Sequence, residues 1–399
     1  MEGRFVHIRG GDLWVAGASA AQDDAPAVLC LHGMSFDSRS WAAEMTALRG
    51  GRSVYAYDLR GYGRSRAPVD VRVDHLADLA ALIARLGLDR PILASLSLGA
   101  NVAMAYALEN PSAVRGLLLA SPGLPGHAWT SEHAPTVAAA LARREGEAAA
   151  KSYWLSHPLF DSLAGQAEAR AAVEAMVADY DGWHWLHPEQ MIPLPCVADK
   201  LDRLTLPILV VNGTRDLDEY RAIGRRIAAQ APNARHVELA GAGHVVNLER
   251  PAAFLGLLEQ FLAAIDADAD ELPPPIPFDL SEPGTFVYGG AESTRGLALN
   301  RFALSLKQPE NRLAFLADEA GYMARFALTD EQAAQVRGRD WTGLLRSGGH
   351  LQAILKLAAT VGQSLWDIGA HNSGIGTDAM QRLCPRRVSR LPGAGEGAA

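Results

Sequence analysis

Ile92-Leu93-Ala94-Ser95-Leu96-Ser97-Leu98-Gly99-Ala100-Asn101 is the stretch that decides how this chain folds. Its first half is mostly apolar, the pattern of a strand covered on both faces of a sheet. From residue 100 to residue 108 the composition turns helical. A strand that passes into a helix within a residue or two leaves room only for small side chains beside the turn, and Ser95 and Gly99 stand two before and two after Ser97. Such a turn lifts a hydroxyl above the sheet at a helix N-terminus. The pattern departs from Gly-x-Ser-x-Gly at Ser95, so the segment alone also reads as a serine-rich strand end.

Working outward, residues 27–31, 54–57, 91–95, 117–120 and 208–211 are mostly continuous apolar runs, and helical patterns at 73–86, 100–108, 220–229 and 251–265 separate them. Pro251 suits the first turn of the last helix. The alternation predicts an α/β fold, a doubly wound and mostly parallel sheet. Residues 4–8 and 12–16 flank Gly10-Gly11 and read as a hairpin opening that sheet, and residues 236–239 as a late strand. Between 121 and 206 the alternation gives way to Ala-rich helical sequence with an aromatic cluster, Trp183, His184, Trp185 and His187, which predicts a helical cap over about 122–206. After Ile265 an acidic, proline-rich run has no helical period and suits a solvated spacer. The expected organisation is a first domain at 1–265, a linker at 266–282, an all-α domain at 283–376 with its helices from about 304 to 368, and a disordered Gly/Ala tail at 377–399.

The 399 residues are 49% hydrophobic and 21% charged, with a formal net charge of −8, an ordinary balance for a large buried core. No broad basic footprint exists for nucleic acid. Three cysteines, Cys30, Cys196 and Cys384, lie far apart without Cys-x-x-Cys spacing, so neither a disulfide framework nor a cysteine zinc site is implied and a reducing cytoplasm fits best. No apolar run resembles a signal peptide or a membrane span. Asp266, Asp268 and Asp270 imitate the start of a calcium loop, but Glu271 stands where that loop needs Gly and Pro277 where it needs Glu. His184 and His187 have helical spacing for a metal without an evident third ligand. No metal and no cofactor are expected.

A serine hydroxyl needs an imidazole to take its proton and a carboxylate to orient that imidazole. His244 lies in Gly241-Ala242-Gly243-His244, beyond the late strand, where glycines let a loop reach Ser97. The acid is expected after the strand at 208–211, where Asp216 is the first candidate and Asp218 the alternative. Leu31-His32-Gly33-Met34 forms a turn whose Met34 amide, with that of Leu98, would make an oxyanion hole. His32 reads as a residue that holds this loop, and the charges of Asp58-Leu59-Arg60-Gly61-Tyr62-Gly63-Arg64-Ser65 as fixing theirs. Trp183 and Trp185 are candidates for the pocket wall or for the cap's own core.

Together these segments resemble the α/β-hydrolase superfamily, and the resemblance implies nucleophile, oxyanion turn, acid and base at the matching residues. Its members include esterases, lactonases and C–C hydrolases, so fold leaves the substrate open. Leu96-Ser97-Leu98-Gly99 with Asp58-Leu59-Arg60-Gly61 is most similar to 3-oxoadipate enol-lactonases.

From Pro283-Gly284-Thr285 through Asn300-Arg301-Phe302, Glu310-Asn311-Arg312, Asp318-Glu319-Ala320-Gly321-Tyr322 and Arg339-Asp340-Trp341 to Gly348-Gly349-His350, the chain resembles the small alpha subunit of protocatechuate 4,5-dioxygenase. The resemblance implies a helical domain that packs over a large, iron-bearing subunit, with no ligand at His350 or His371. It suggests a large dioxygenase subunit as partner, with homodimerisation as the plainer use. The expected function is a serine hydrolase of a small ester, lactone or C–C bond from aromatic ring cleavage. The alternative is a catalytically silent hydrolase scaffold serving a dioxygenase as an accessory subunit.

Overall fold

The hairpin around Gly10-Gly11 opens the sheet, with β1 (Gly3–Ile8) antiparallel to β2 (Gly11–Ala18). Six further strands follow: β3 (Val28–Leu31), β4 (Val54–Tyr57), β5 (Ile92–Leu96), β6 (Gly116–Ala120), β7 (Ile208–Gly213) and β8 (Ala234–Leu239). Their order is β1-β2-β4-β3-β5-β6-β7-β8; β2 meets β4 antiparallel and every pairing from β4 to β8 is parallel. This computed structural model describes residues 3–19, 25–68, 72–267, 288, 290–374 and 376–378, and the chain divides into two compact units, Met1–Ser281 and Glu282–Ala399.

Every residue of β3 to β7 is buried, which is why these strands read as mostly continuous apolar runs rather than alternating ones. Helices Leu98–Glu109, Asp218–Gln230 and Pro251–Asp266 connect or flank them. The last begins with Pro at its first turn and buries Phe254, Leu258, Phe261, Leu262 and Ile265 at helical spacing. It also runs one residue past the expected boundary, and Asp266, read from sequence as spacer, closes it in an ion pair with buried Arg52. Two α-helices of the first unit, Ala42–Leu48 and Val246–Glu249, have no counterpart in the sequence reading. Helices Ala134–Glu145, Glu147–Ser156, Ala167–Asp179 and Trp183–Leu186 fill the expected insertion between β6 and β7.

The second unit is helical from Gly290–Arg295 to Leu365–Ser373, a longer stretch than the periodicity suggested. It has its own core, in which Phe302 and Phe315 meet edge to face at 5.5 Å among Leu299, Leu344, Ile354 and Leu357. Thr329 and Gln332 form a reciprocal capping box at Asp330–Gly338. The expected spacer and tail fall largely at 268–287 and 379–399, outside the described residues. Among the described residues no helix is long and apolar enough to cross a membrane.

Glu44 on helix Ala42–Leu48 is 1% exposed and neither carboxyl oxygen has a hydrogen-bond partner. Burial pushes its pKa from 4.5 to about 8. Burial, and secondarily the same carboxyl, pushes the Cys30 thiol up as well. An unfolded chain loses the Glu44 proton near pH 4.5 and the folded one near 8, so between those values the folded state holds more protons and stability falls as pH rises. Glu44→Gln should therefore match the wild type below pH 4.5 and exceed it increasingly up to about pH 8. At about 1.4 kcal/mol per unit the advantage at the upper end is on the order of 4 kcal/mol. Denaturant unfolding of both proteins at several pH values checks this; a stability difference that does not grow with pH would refute it.

Candidate active site

Ser97 sits between β5 and helix Leu98–Glu109 with φ 50° and ψ −109°, a left-handed backbone rare for a residue with a side chain. Three backbone hydrogen bonds hold this strained turn in place: the Ser97 amide donates to the Ala120 carbonyl of β6 at 2.9 Å, and the Ser97 carbonyl accepts from the Ala100 and Asn101 amides at 3.0 and 3.2 Å. The small residues on either side have visible reasons. A Cβ at Gly99 would lie 2.4 Å from the Leu31 carbonyl oxygen and 2.7 Å from that of His32. Only glycine lets the helix start rest on the end of β3. Ser95 stands where glycine is usual, and its hydroxyl donates to the Leu118 carbonyl at 3.0 Å, so the extra atoms are absorbed within the sheet.

That close approach at Gly99 also brings the turn after β3 against the elbow. His32 fixes the turn as a neutral imidazole: Nδ1–H donates to the Gly33 carbonyl at 2.8 Å while Nε2 accepts from the Leu59 amide at 2.9 Å. Burial lowers its pKa, consistent with that role. The Met34 and Leu98 amides thus belong to two adjoining turns. Leu98 is the first helical residue, whose N–H has no intrahelical acceptor. In the loop after β4, Asp58 accepts from the Ser38 and Arg64 amides at 2.8 Å each, and Arg60 is bonded to Asp78 at 2.7 Å and to the Gly10 carbonyl at 2.6 Å.

Three residues from distant parts of the chain converge on one line of hydrogen bonds. His244 Nε2 lies 3.0 Å from Ser97 Oγ, and its Nδ1 lies 3.0 and 3.3 Å from the two oxygens of Asp216. A carboxylate can only accept, so Nδ1 carries the proton and Nε2 is free to accept from the serine hydroxyl. His244 and Asp216 are both buried. Asp216 is itself oriented by the Leu217 amide at 2.8 Å and by Asn212 Nδ2 at 3.3 Å, and Asn212 Oδ1 accepts from His236 at 2.9 Å. Asp218, the alternative acid, points away: its side chain is 96% exposed and pairs with Arg221 at 3.2 Å.

Other sequence candidates lie elsewhere. Trp185 is 1% exposed and packs against Trp154 at 5.7 Å and Tyr180 at 4.9 Å, within the core of the cap. Trp183 is buried against the loop at Gly61 and against His184. The His184 ring stacks on Tyr62 at 3.9 Å, and burial lowers its pKa well below the usual range. His187 faces Glu189 at 3.8 Å. An aromatic ring that does reach His244 is Tyr220, edge-on to it at 4.5 Å, with Trp129 at 5.1 Å beyond. Both were missed, because neither belongs to a motif.

Residues 28–257 match the model of the alpha/beta hydrolase family. The chain belongs to that family. Over 249 residues it is 30% identical to the 2-succinyl-6-hydroxy-2,4-cyclohexadiene-1-carboxylate synthase of Salmonella agona, a match covering 60% of this chain and 95% of that protein. The crystal structure of the enol-lactonase from Burkholderia xenovorans is similar with a TM-score of 0.57 and 25% identity, covering 65% of this chain and all of that one. A hydrolase structure from Pseudomonas aeruginosa is similar with a TM-score of 0.57 and 26% identity, over 66% of this chain and 98% of that one. Residues 299–383 match the model of the LigA subunit of the aromatic-ring-opening dioxygenase LigAB. This alpha/beta hydrolase is thus an enzyme of the hydrolase class that carries a second, dioxygenase-subunit-like region, the fusion expected from sequence.

Proposed function

We propose that the chain is a serine hydrolase of a small ester, lactone or ketone C–C bond, with Ser97 as nucleophile, His244 as general base and acid, and Asp216 as the orienting carboxylate. The observation that carries this reading is the continuous Ser97–His244–Asp216 line of contacts at 3.0 Å each. In the first step His244 Nε2 takes the hydroxyl proton as Ser97 Oγ bonds to the carbonyl carbon, and the Met34 and Leu98 amides hold the resulting oxyanion. The tetrahedral adduct collapses, the imidazolium returns the proton to the leaving oxygen or carbon, and an acyl-serine remains. Water then loses a proton to His244, attacks the acyl carbon and releases a carboxylic acid with Ser97 restored. The Asp216 carboxylate offsets the imidazolium charge during both halves.

The substrate we propose is a product of aromatic ring opening, such as an enol-lactone or a ring-cleaved keto acid. The likeness to an enol-lactonase and the LigA-subunit match in the same chain support it. The second unit would dock a large dioxygenase subunit or a second copy of this chain. Cys30 and Cys196 are free thiols, which suits a reducing cytoplasm.

A fluorophosphonate probe should label the wild type and leave Ser97→Ala unlabelled, and a panel of simple esters, enol-lactones and ring-cleavage products should then rank the substrates. An unlabelled wild type would favour the accessory-subunit reading, in which the hydrolase unit is silent. Co-purification with an iron-bearing large subunit tests the partner; a clean homodimer that ignores such a subunit argues for self-association.

A further inference from the structure

Glu249, at the end of the short helix Val246–Glu249, is 4% exposed. One of its oxygens accepts from the Gly243 amide at 2.8 Å and the other from the Val245 amide at 3.1 Å. These are the residues on either side of His244, so a single carboxylate holds the peptide units that flank the base. Its first oxygen also accepts from Gln166 Nε2 at 3.1 Å, and Gln166 lies in the cap, where the same amide donates to the Ser162 carbonyl at 2.8 Å.

The cap touches the base loop a second time. A Cβ on Gly243 would fall 2.0 Å from Ser162 Oγ and 2.6 Å from its Cβ, and Ser162 Oγ is buried without a hydrogen-bond partner. The residue before the base therefore has to be glycine because the cap rests directly on it.

We infer that Glu249 is the positioning residue of His244, a buried clamp that fixes both flanking amides and ties them through Gln166 and Ser162 to the cap. A loop of Gly-Ala-Gly-His has little intrinsic preference for one conformation, and a proton transfer needs donor and acceptor near 3 Å. The carboxylate gives the loop one geometry. Because its third donor comes from the cap, a movement of the cap reaches the base without passing through the substrate.

The inference rests on His244 being the base, and the experiment separates the two claims. Glu249→Ala is expected to lower kcat for p-nitrophenyl acetate about a hundredfold, to leave KM within about twofold, and to slow fluorophosphonate labelling of Ser97 by the same factor as kcat. Glu249→Gln keeps one acceptor for the two amides and should fall between this variant and the wild type. Gly243→Ala should lose kcat through its collision with Ser162, and adding Ser162→Gly should recover most of it. Wild-type kcat in Glu249→Ala, a loss carried by KM, or a Gly243→Ala defect that Ser162→Gly does not relieve would each overturn the clamp. Labelling of Ser97→Ala at the wild-type rate would instead overturn the nucleophile itself.

Discussion

Ser97→Ala and His244→Ala are each expected to lower kcat by about five to six orders of magnitude, and the double variant by no more than either alone. The reason is that in the proposed mechanism the two side chains act as one device. Without the imidazole the hydroxyl keeps its proton, and without the hydroxyl the imidazole has nothing at 3.0 Å to deprotonate. A residual rate about a thousandfold above water should survive in all three, since the Met34 and Leu98 amides are backbone groups that neither substitution removes. Steady-state kinetics on the best ester or lactone of the panel, with circular dichroism to check folding, measures this. Additive losses in the double variant, or a folded Ser97→Ala that keeps more than about a hundredth of the wild-type kcat, would mean that some other group attacks the carbonyl.

Why Ser97 was legible and its support was not follows from the range of the interactions. The elbow is local: it constrains residues two before and two after the serine, so the spacing of Ser95, Ser97 and Gly99 carried it. The strands were legible for a similar reason, since burial on both faces leaves runs such as 28–31 and 208–211 entirely apolar. Contacts made across the fold leave no such trace. Glu249 follows His244 by five residues, but nothing in the sequence says that its side chain turns back to bracket the loop or that Gln166 comes to meet it. Asp266 read as spacer because its neighbours are acidic and the partner that makes it structural, Arg52, is 214 residues away. Trp185 was open to either reading because an aromatic cluster has no sign of which side faces the pocket, and its packing on Trp154 and Tyr180 is a property of the cap alone.

Asp216→Asn should cost about four orders of magnitude in kcat while Asp218→Asn leaves it within about twofold, although the two residues stand only two apart in the sequence. Sequence could only rank them, and the structure supplies the physical difference. Asp216 is buried, receives the Leu217 and Asn212 N–H groups, and presents its remaining capacity to His244 Nδ1. Replacing it by Asn puts an amide where a pure acceptor was required. Whichever way it turns, its NH2 meets a donor, Asn212 Nδ2 at one oxygen position or the Leu217 N–H and His244 Nδ1 at the other, and in the second orientation the amide faces the imidazole as a donor. His244 then keeps its proton on Nε2 and has no lone pair for the Ser97 hydroxyl. The loss should appear in kcat and not in folding, because the shape and the hydrogen-bond count of the site are nearly unchanged. Asp218 differs in every respect: its exposed pairing with Arg221 is the kind of surface contact that contributes about 1 kcal/mol or less. Equal activity in the two variants would remove Asp216 from the triad, and a collapse confined to Asp218→Asn would transfer the role to that residue.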